Sequence, residues 1–180
     1  MKAVLDACVI YPTVLREILT GVAAQGLYEP LWSERIFREW VFATAKLGAV
    51  AQAQAAGEAA LLRASFPRAM VRENPDIEAR LLLPDANDRH VLAVAIAAHA
   101  DCIVTFNAKD FPRHVLAEEG ILRRDPDGFL WELWSHHPDV VSAVVTEIHV
   151  TAQRLAGVEL PLRGLLKRAK LPRLAKVLAA

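Results

Sequence analysis

Asp6, Glu39, Asp88 and the run from Asn107 to Asp110 are acids and amides that can hold a divalent cation, though they lie far apart in the chain. Asp6 follows the apolar run Lys2–Leu5, which reads as a buried strand with an acid at its carboxyl end. Asn107 and Asp110 follow a second such run, Cys102–Thr105. In an open parallel sheet, ligands gather beyond the carboxyl ends of the strands, so these two segments are expected to share one edge. Asp88 opens a helix predicted over Arg89–Ala98. Leu92 and Ala95, four and seven residues on, mark the face that packs on the sheet, which directs the Asp88 carboxylate toward the core edge. Glu39 borders the apolar stripe Ile36, Phe37, Trp40, Ala43 and Leu47 of another predicted helix. Carboxylates gathered this way suit Mg2+ or Mn2+, hard cations that take oxygen ligands. Two such ions about 3.5 to 4 Å apart clamp both the attacking and the leaving oxygen of a phosphodiester.

Each acid also has a plain structural use. Asp6 can form a turn, Asp85 can cap a helix with Asp88 as its partner three residues on, and Glu39 can pair with Arg35. The metal reading rests on convergence. No Ser-His-Asp set, phosphate loop or Gly-rich dinucleotide fingerprint competes with it. An aspartyl-phosphate phosphatase would carry a second acid two residues after Asp6, where this chain has Cys8. The six histidines show no zinc spacing, and Cys8 and Cys102, 94 positions apart in apolar stretches, read as buried free thiols.

The elements that must position these residues alternate. Strands are predicted at Lys2–Leu5, Leu27–Trp32, Cys102–Thr105 and near Ile121–Arg123. Between them fall helices from Val14, from a Ser33 cap, over Ala49–Ser65 and after Asp88. This alternation implies a three-layer α/β domain with a central parallel sheet over residues 1–126. After Asp125-Pro126-Asp127-Gly128 the pattern turns wholly helical, so residues 127–180 are expected to form a helical C-terminal extension packed on that domain.

A length of 180 residues and 54% hydrophobic content suit a packed domain, and no apolar run is long enough to span a bilayer. Asp6 interrupts the N-terminal apolar run too early for a secretory signal, so the cytoplasm is the expected compartment and no membrane partner is expected. Net charge is zero, which gives no global field to attract nucleic acid. Residues 161–180, however, hold six Lys or Arg and no acid, leaving a net of −6 on residues 1–160. Among these, Lys167, Arg168, Lys170 and Arg173 are candidate RNA contacts, with an ordinary amphipathic surface as the simpler account.

The segments Val4-Leu5-Asp6, Pro84-Asp85-Ala86-Asn87-Asp88-Arg89-His90-Val91-Leu92-Ala93 and Ile103-Val104-Thr105-Phe106-Asn107-Ala108-Lys109-Asp110-Phe111-Pro112 resemble the PIN-domain nuclease family. The likeness is to its bacterial branch of VapC-like toxins in particular, and it covers residues 1–126. The resemblance implies that Asp6, Glu39, Asp88 and a fourth polar residue hold one or two divalent ions. Asn107 and Asp110 compete for the fourth place, with Asp110 favoured for its charge. Asp85, Thr105 and Cys8 would stand behind the ligands. Family members commonly carry Thr, Ser or Asn in the two positions after the first acid, where this chain has Ala7 and Cys8. The implied activity is that of a metal-dependent endoribonuclease, the toxin of a toxin-antitoxin pair, with RNA, a small antitoxin protein and a second copy of itself as partners. A structure-specific DNA nuclease and a catalytically silent module that binds nucleic acid or protein are the alternatives.

Overall fold

The computed structural model describes residues 1–179. In chain order the elements begin with β1 (Lys2–Leu5), α1 (Ala7–Ile10), α2 (Thr13–Ala24), β2 (Glu29–Leu31), α3 (Glu34–Thr44) and α4 (Ala49–Ser65). There follow α5 (Pro75–Arg80), α6 (Arg89–Ala97), β3 (Cys102–Val104), α7 (Arg113–Glu118) and β4 (Leu122–Arg124). The chain closes with α8 (Pro126–His136), α9 (Pro138–Ala156), α10 (Leu162–Arg168) and α11 (Pro172–Leu178). The class is α/β, with a central parallel sheet flanked by helices and further helices at the C-terminal end, as the alternation predicts. The chain divides into two compact units: residues 1–11 with 28–124, and residues 12–27 with 125 onward.

The first unit contains the sheet, in the order β2-β1-β3-β4 with every pairing parallel. Val4 lies opposite both Leu31 and Ile103, and Ile103 opposite Arg123. Ala3, Val4, Ile103 and Val104 have no exposure, as expected of central strands covered on both faces. Because β2 flanks β1 on one side and β3 on the other, the strand order reverses at β1. Such a reversal leaves a crevice beyond the strand ends.

Around this sheet the local sequence is largely self-consistent. Ser33 caps α3 by accepting from Ile36 N, and Ile36, Phe37 and Trp40 bury the stripe. Phe37 packs against Trp32 and Trp40 at ring separations of 5.1 and 6.1 Å, so truncating Trp40 would cost about 3 to 5 kcal/mol. Leu47 departs from the expected stripe and is 64% exposed. A 3-10 turn over Ala45–Leu47 follows α3, and its tighter winding carries Leu47 out of phase with the helical face. The short α1 is also absent from the sequence reading.

The second unit is wholly helical. Gly21 on α2 is a packing glycine, because a Cβ there would sit 2.8 Å from Val144 Cγ1 on α9. Gly157, at φ 67°, ends α9 in the left-handed conformation that glycine adopts freely. Leu165, Leu166, Ala169, Leu174 and Ala175 are buried, whereas Lys167, Arg168, Lys170 and Arg173 are exposed. Asp127 is buried near the start of α8. Its carboxylate accepts from Arg173 N and Leu174 N, at 2.9 and 3.1 Å, where α11 begins.

Candidate metal centre

Asp6 is the residue immediately after β1, and its backbone turns into α1 as Val9 N and Ile10 N bond to the Asp6 carbonyl. This turn brings Cys8 back beside the Asp6 carboxylate. Cys8 Sγ donates to Asp6 Oδ2 at 3.0 Å, and Thr105 Oγ1 donates to the same oxygen at 2.6 Å. Thr105 in turn accepts from Asn107 N, and Cys8 Sγ accepts from Phe106 N. The ends of β1 and β3 are thus stitched together through one carboxylate oxygen. Asp6 Oδ1 receives no hydrogen bond among the described residues. Burial, and then the charge of Asp6, push the Cys8 thiol up to about 12, so it stays protonated and acts as a donor. Cys8 is half-buried rather than enclosed as its apolar neighbours suggest, while Cys102 is buried, and both are free.

The Asp85–Asp88 segment forms a 3-10 turn ahead of α6. Asp85 Oδ1 accepts from Asn87 N at 2.9 Å, and Asp88 N bonds to the Asp85 carbonyl. The Asp88 side chain makes no capping bond, so the expected reciprocal cap is only half formed. Asp88 Oδ2 instead accepts from Asn107 Nδ2 at 2.9 Å. Leu92 and Ala95 are fully buried. Asp110, whose backbone N–H bonds to Asn107 Oδ1, completes a set in which carboxylate oxygens of Asp85, Asp88 and Asp110 all lie within 4.8 Å of one another. Asp88 is pushed up to about 6, first by burial and then by the charges of Asp6, Asp85, Asp110 and Glu39. Those four acids therefore act together on one carboxyl group.

Glu39 stands outside the set of three. Its Oε1 lies 2.9 Å from Nε2 of the buried His90 and 3.5 Å from Arg35 Nε. Arg35 also reaches Glu78 Oε1 at 3.0 Å and the Asn87 carbonyl at 3.3 Å. One guanidinium thereby links α3, α5 and the Asp85–Asp88 turn. The expected Arg35 pair is present, and Glu39 nonetheless adds to the charges that raise Asp88.

Two further side chains shape this region and carry no role in the sequence reading. Arg123 on β4 donates to the carbonyls of Ala108 and Phe111, at 2.6 and 2.9 Å, which pins the loop bearing Asp110 from both sides. His90 on α6 is buried, and it faces Glu39. Neither has a local sequence signature, because each partner lies in another element.

The donor set is all oxygen and rich in negative charge, the chemistry that Mg2+ and Mn2+ select. Bonds of about 2.1 Å to such an ion span oxygens up to roughly 4.2 Å apart, so modest side-chain rotation closes the set of Asp85, Asp88 and Asp110 around one ion.

Residues 2–109 match the family model of the PIN domain, which is more than half of the chain. The chain belongs to the PIN-domain family. The PIN match covers Asp6, Glu39, Asp85, Asp88 and Asn107, and it ends one residue before Asp110. Among curated proteins, the chain is similar to one named "Putative ribonuclease VapC50" from Mycobacterium tuberculosis, at 40% identity over 58 residues. That match covers 32% of this chain and 34% of the relative, so about a third of each is compared. No solved structure matches the chain. No helix among the described residues is long and apolar enough to cross a membrane.

Proposed function

We propose that the protein is a metal-dependent endoribonuclease of the cytoplasm that hydrolyses RNA phosphodiester bonds. We propose further that it is the toxin of a toxin-antitoxin pair, restrained by a small antitoxin protein. The observation that carries the reading is the convergence of Asp85, Asp88 and Asp110 within 4.8 Å, with Asp6 and Glu39 acting on the same carboxyl group, in a chain of the PIN family. The ribonuclease in the name of the mycobacterial relative supports RNA as the substrate.

Asp6, Glu39, Asp88 and Asp110 are the ligands in this reading, with Asp85 a further oxygen donor close by and Mg2+ or Mn2+ as the ion. When bound, the ion supplies a Lewis acid that eases deprotonation of water and offsets charge developing on the phosphate. The protein's own contribution is positioning. Cys8 and Thr105 occupy Asp6 Oδ2 and leave Oδ1 for the cation, and Asn107 occupies Asp88 Oδ2 in the same way. Asn107 therefore orients a ligand, while Asp110 provides the fourth one. The exposed Lys167, Arg168, Lys170 and Arg173 are proposed to meet RNA phosphates.

Digestion of matched single-stranded RNA and DNA, in Mn2+ and in EDTA, tests the reading. RNA is expected to be cut in Mn2+ alone, and Asp6→Asn and Asp88→Asn are each expected to lower the rate by roughly a hundredfold or more while the fold is kept. Preferential cutting of DNA, or cleavage that persists in EDTA, would overturn it.

A further inference from the structure

One face of α3 carries Arg35, Arg38, Glu39 and Phe42, spaced i, i+3, i+4 and i+7, and all four line a groove of about 710 Å3 against α4. That volume is within the range of ligand clefts. The opposing wall of α4 is cut low by Ala56 and Ala59, which is why two helices that pack along their length still leave space between them. We propose that this groove holds the stretch of single-stranded RNA flanking the scissile phosphate, with Arg38 contacting a phosphate and Phe42 stacking on a base. The proposal rests on the ribonuclease reading above.

Continuity with the carboxylates is the first argument. Arg35 and Glu39 both line the groove and pair with each other, and Arg35 also reaches the carbonyl of Asn87, the residue before Asp88, so a strand whose phosphate reaches the acids has the groove as its neighbouring surface. The division of labour among the guanidiniums is the second. Arg63 is bound twice by Glu34, at 2.7 and 2.8 Å, and lies over the Phe37 ring, so it is part of the wall. Arg35 is committed to Glu39, Glu78 and the Asn87 carbonyl. Arg38 differs from both. It is 69% exposed, attracts Glu34 only at longer range, and has one ion pair, with Glu73 at 3.3 Å, an exposed pair of the kind that contributes little and yields readily to a phosphate.

Phe42 is 77% exposed one turn beyond Arg38. An isolated exposed phenyl ring is unremarkable, but a ring beside an accessible guanidinium on one helix face is the combination used to hold single strands, because every base has a face to stack.

Fluorescence anisotropy of a labelled single-stranded RNA in EDTA, titrated at several salt concentrations, tests this with the intact protein. A parallel digestion in Mn2+ reports on the nuclease reading separately. Phe42→Ala is expected to weaken binding roughly tenfold with an unchanged salt slope. Arg38→Gln is expected to weaken binding and flatten the slope of log affinity against log salt by about 0.7. Wild-type cleavage of RNA together with wild-type affinity and slope in both variants would overturn the groove alone. Failure of the wild type to bind or cut RNA would overturn both readings. Light scattering on the same samples covers the remaining occupant: a change in oligomeric state that accounts for the lost affinity would make the groove a protein contact and end the proposal.

Discussion

Asp6 and Asp127 are equally buried, each 6% exposed, and each lies at or near the start of a helix, yet their surroundings differ in kind. Both carboxylate oxygens of Asp127 are met by backbone N–H groups of Arg173 and Leu174. It is a satisfied anion that ties α8 to α11. Asp6 has donors on one oxygen only, and its carboxylate neighbour Asp88 is crowded by four acids. A fold gains nothing by itself from leaving acids so poorly compensated, because buried charge without a partner is costly. The contrast separates an acid used for structure from acids kept for a cation.

The largest difference in stability should follow from Asp127. Asp127→Asn replaces a charged acceptor by an amide that can accept on one side only, and thermal melting is expected to show a loss of about 1 to 3 kcal/mol. At roughly 2 to 4 °C per kcal/mol for a chain of this size, that is several degrees. Activity per folded molecule should stay near that of the wild type. An unchanged melting temperature would erase the structural half of the comparison.

Asp88 should behave in the opposite sense when metal is removed. Its folded value, about 6, lies above the ordinary 3.8, so its contribution to stability is complete below about pH 4 and is lost as pH rises through 6. In EDTA, Asp88→Asn is therefore expected to melt higher than the wild type near pH 7.5, with the gap shrinking toward pH 4. A gap independent of pH would mean that neither burial nor the neighbouring acids disfavour the charged form of Asp88.

How much of this was open to sequence reasoning depended on whether the cause was local. β1 and β3 are apolar runs that end in acids or turn residues, and Ser33 caps α3 by a local rule, so strands, sheet and the carboxylate edge are legible. The α1 turn is not, because Ala7-Cys8-Val9-Ile10 is an apolar run that looks like more strand, and only backbone bonds to the Asp6 carbonyl close it into a helix. Cys8 could be noticed as a departure from Thr, Ser or Asn. Its bond to Asp6 could not, since it depends on that turn. Arg123 and His90 were equally out of reach, because their partners are brought by the sheet and by α3.

The smallest of the expected effects concerns Arg123. Arg123→Ala frees the carbonyls of Ala108 and Phe111 and should let the loop bearing Asp110 drift, weakening Mn2+ affinity roughly tenfold with little change in melting temperature. Unchanged affinity would show that the loop holds Asp110 without help from β4.

Calorimetric titration with Mn2+ reads the cation-holding role of the acids itself. One or two Mn2+ sites are expected in the wild type, with their loss in Asp6→Asn and Asp88→Asn, a larger loss for Asp110→Ala than for Asn107→Ala, and wild-type binding in Asp127→Asn. A wild type that takes up no Mn2+, or an Asp88→Asn variant that binds it as tightly as the wild type, would mean that these acids are not kept for a cation.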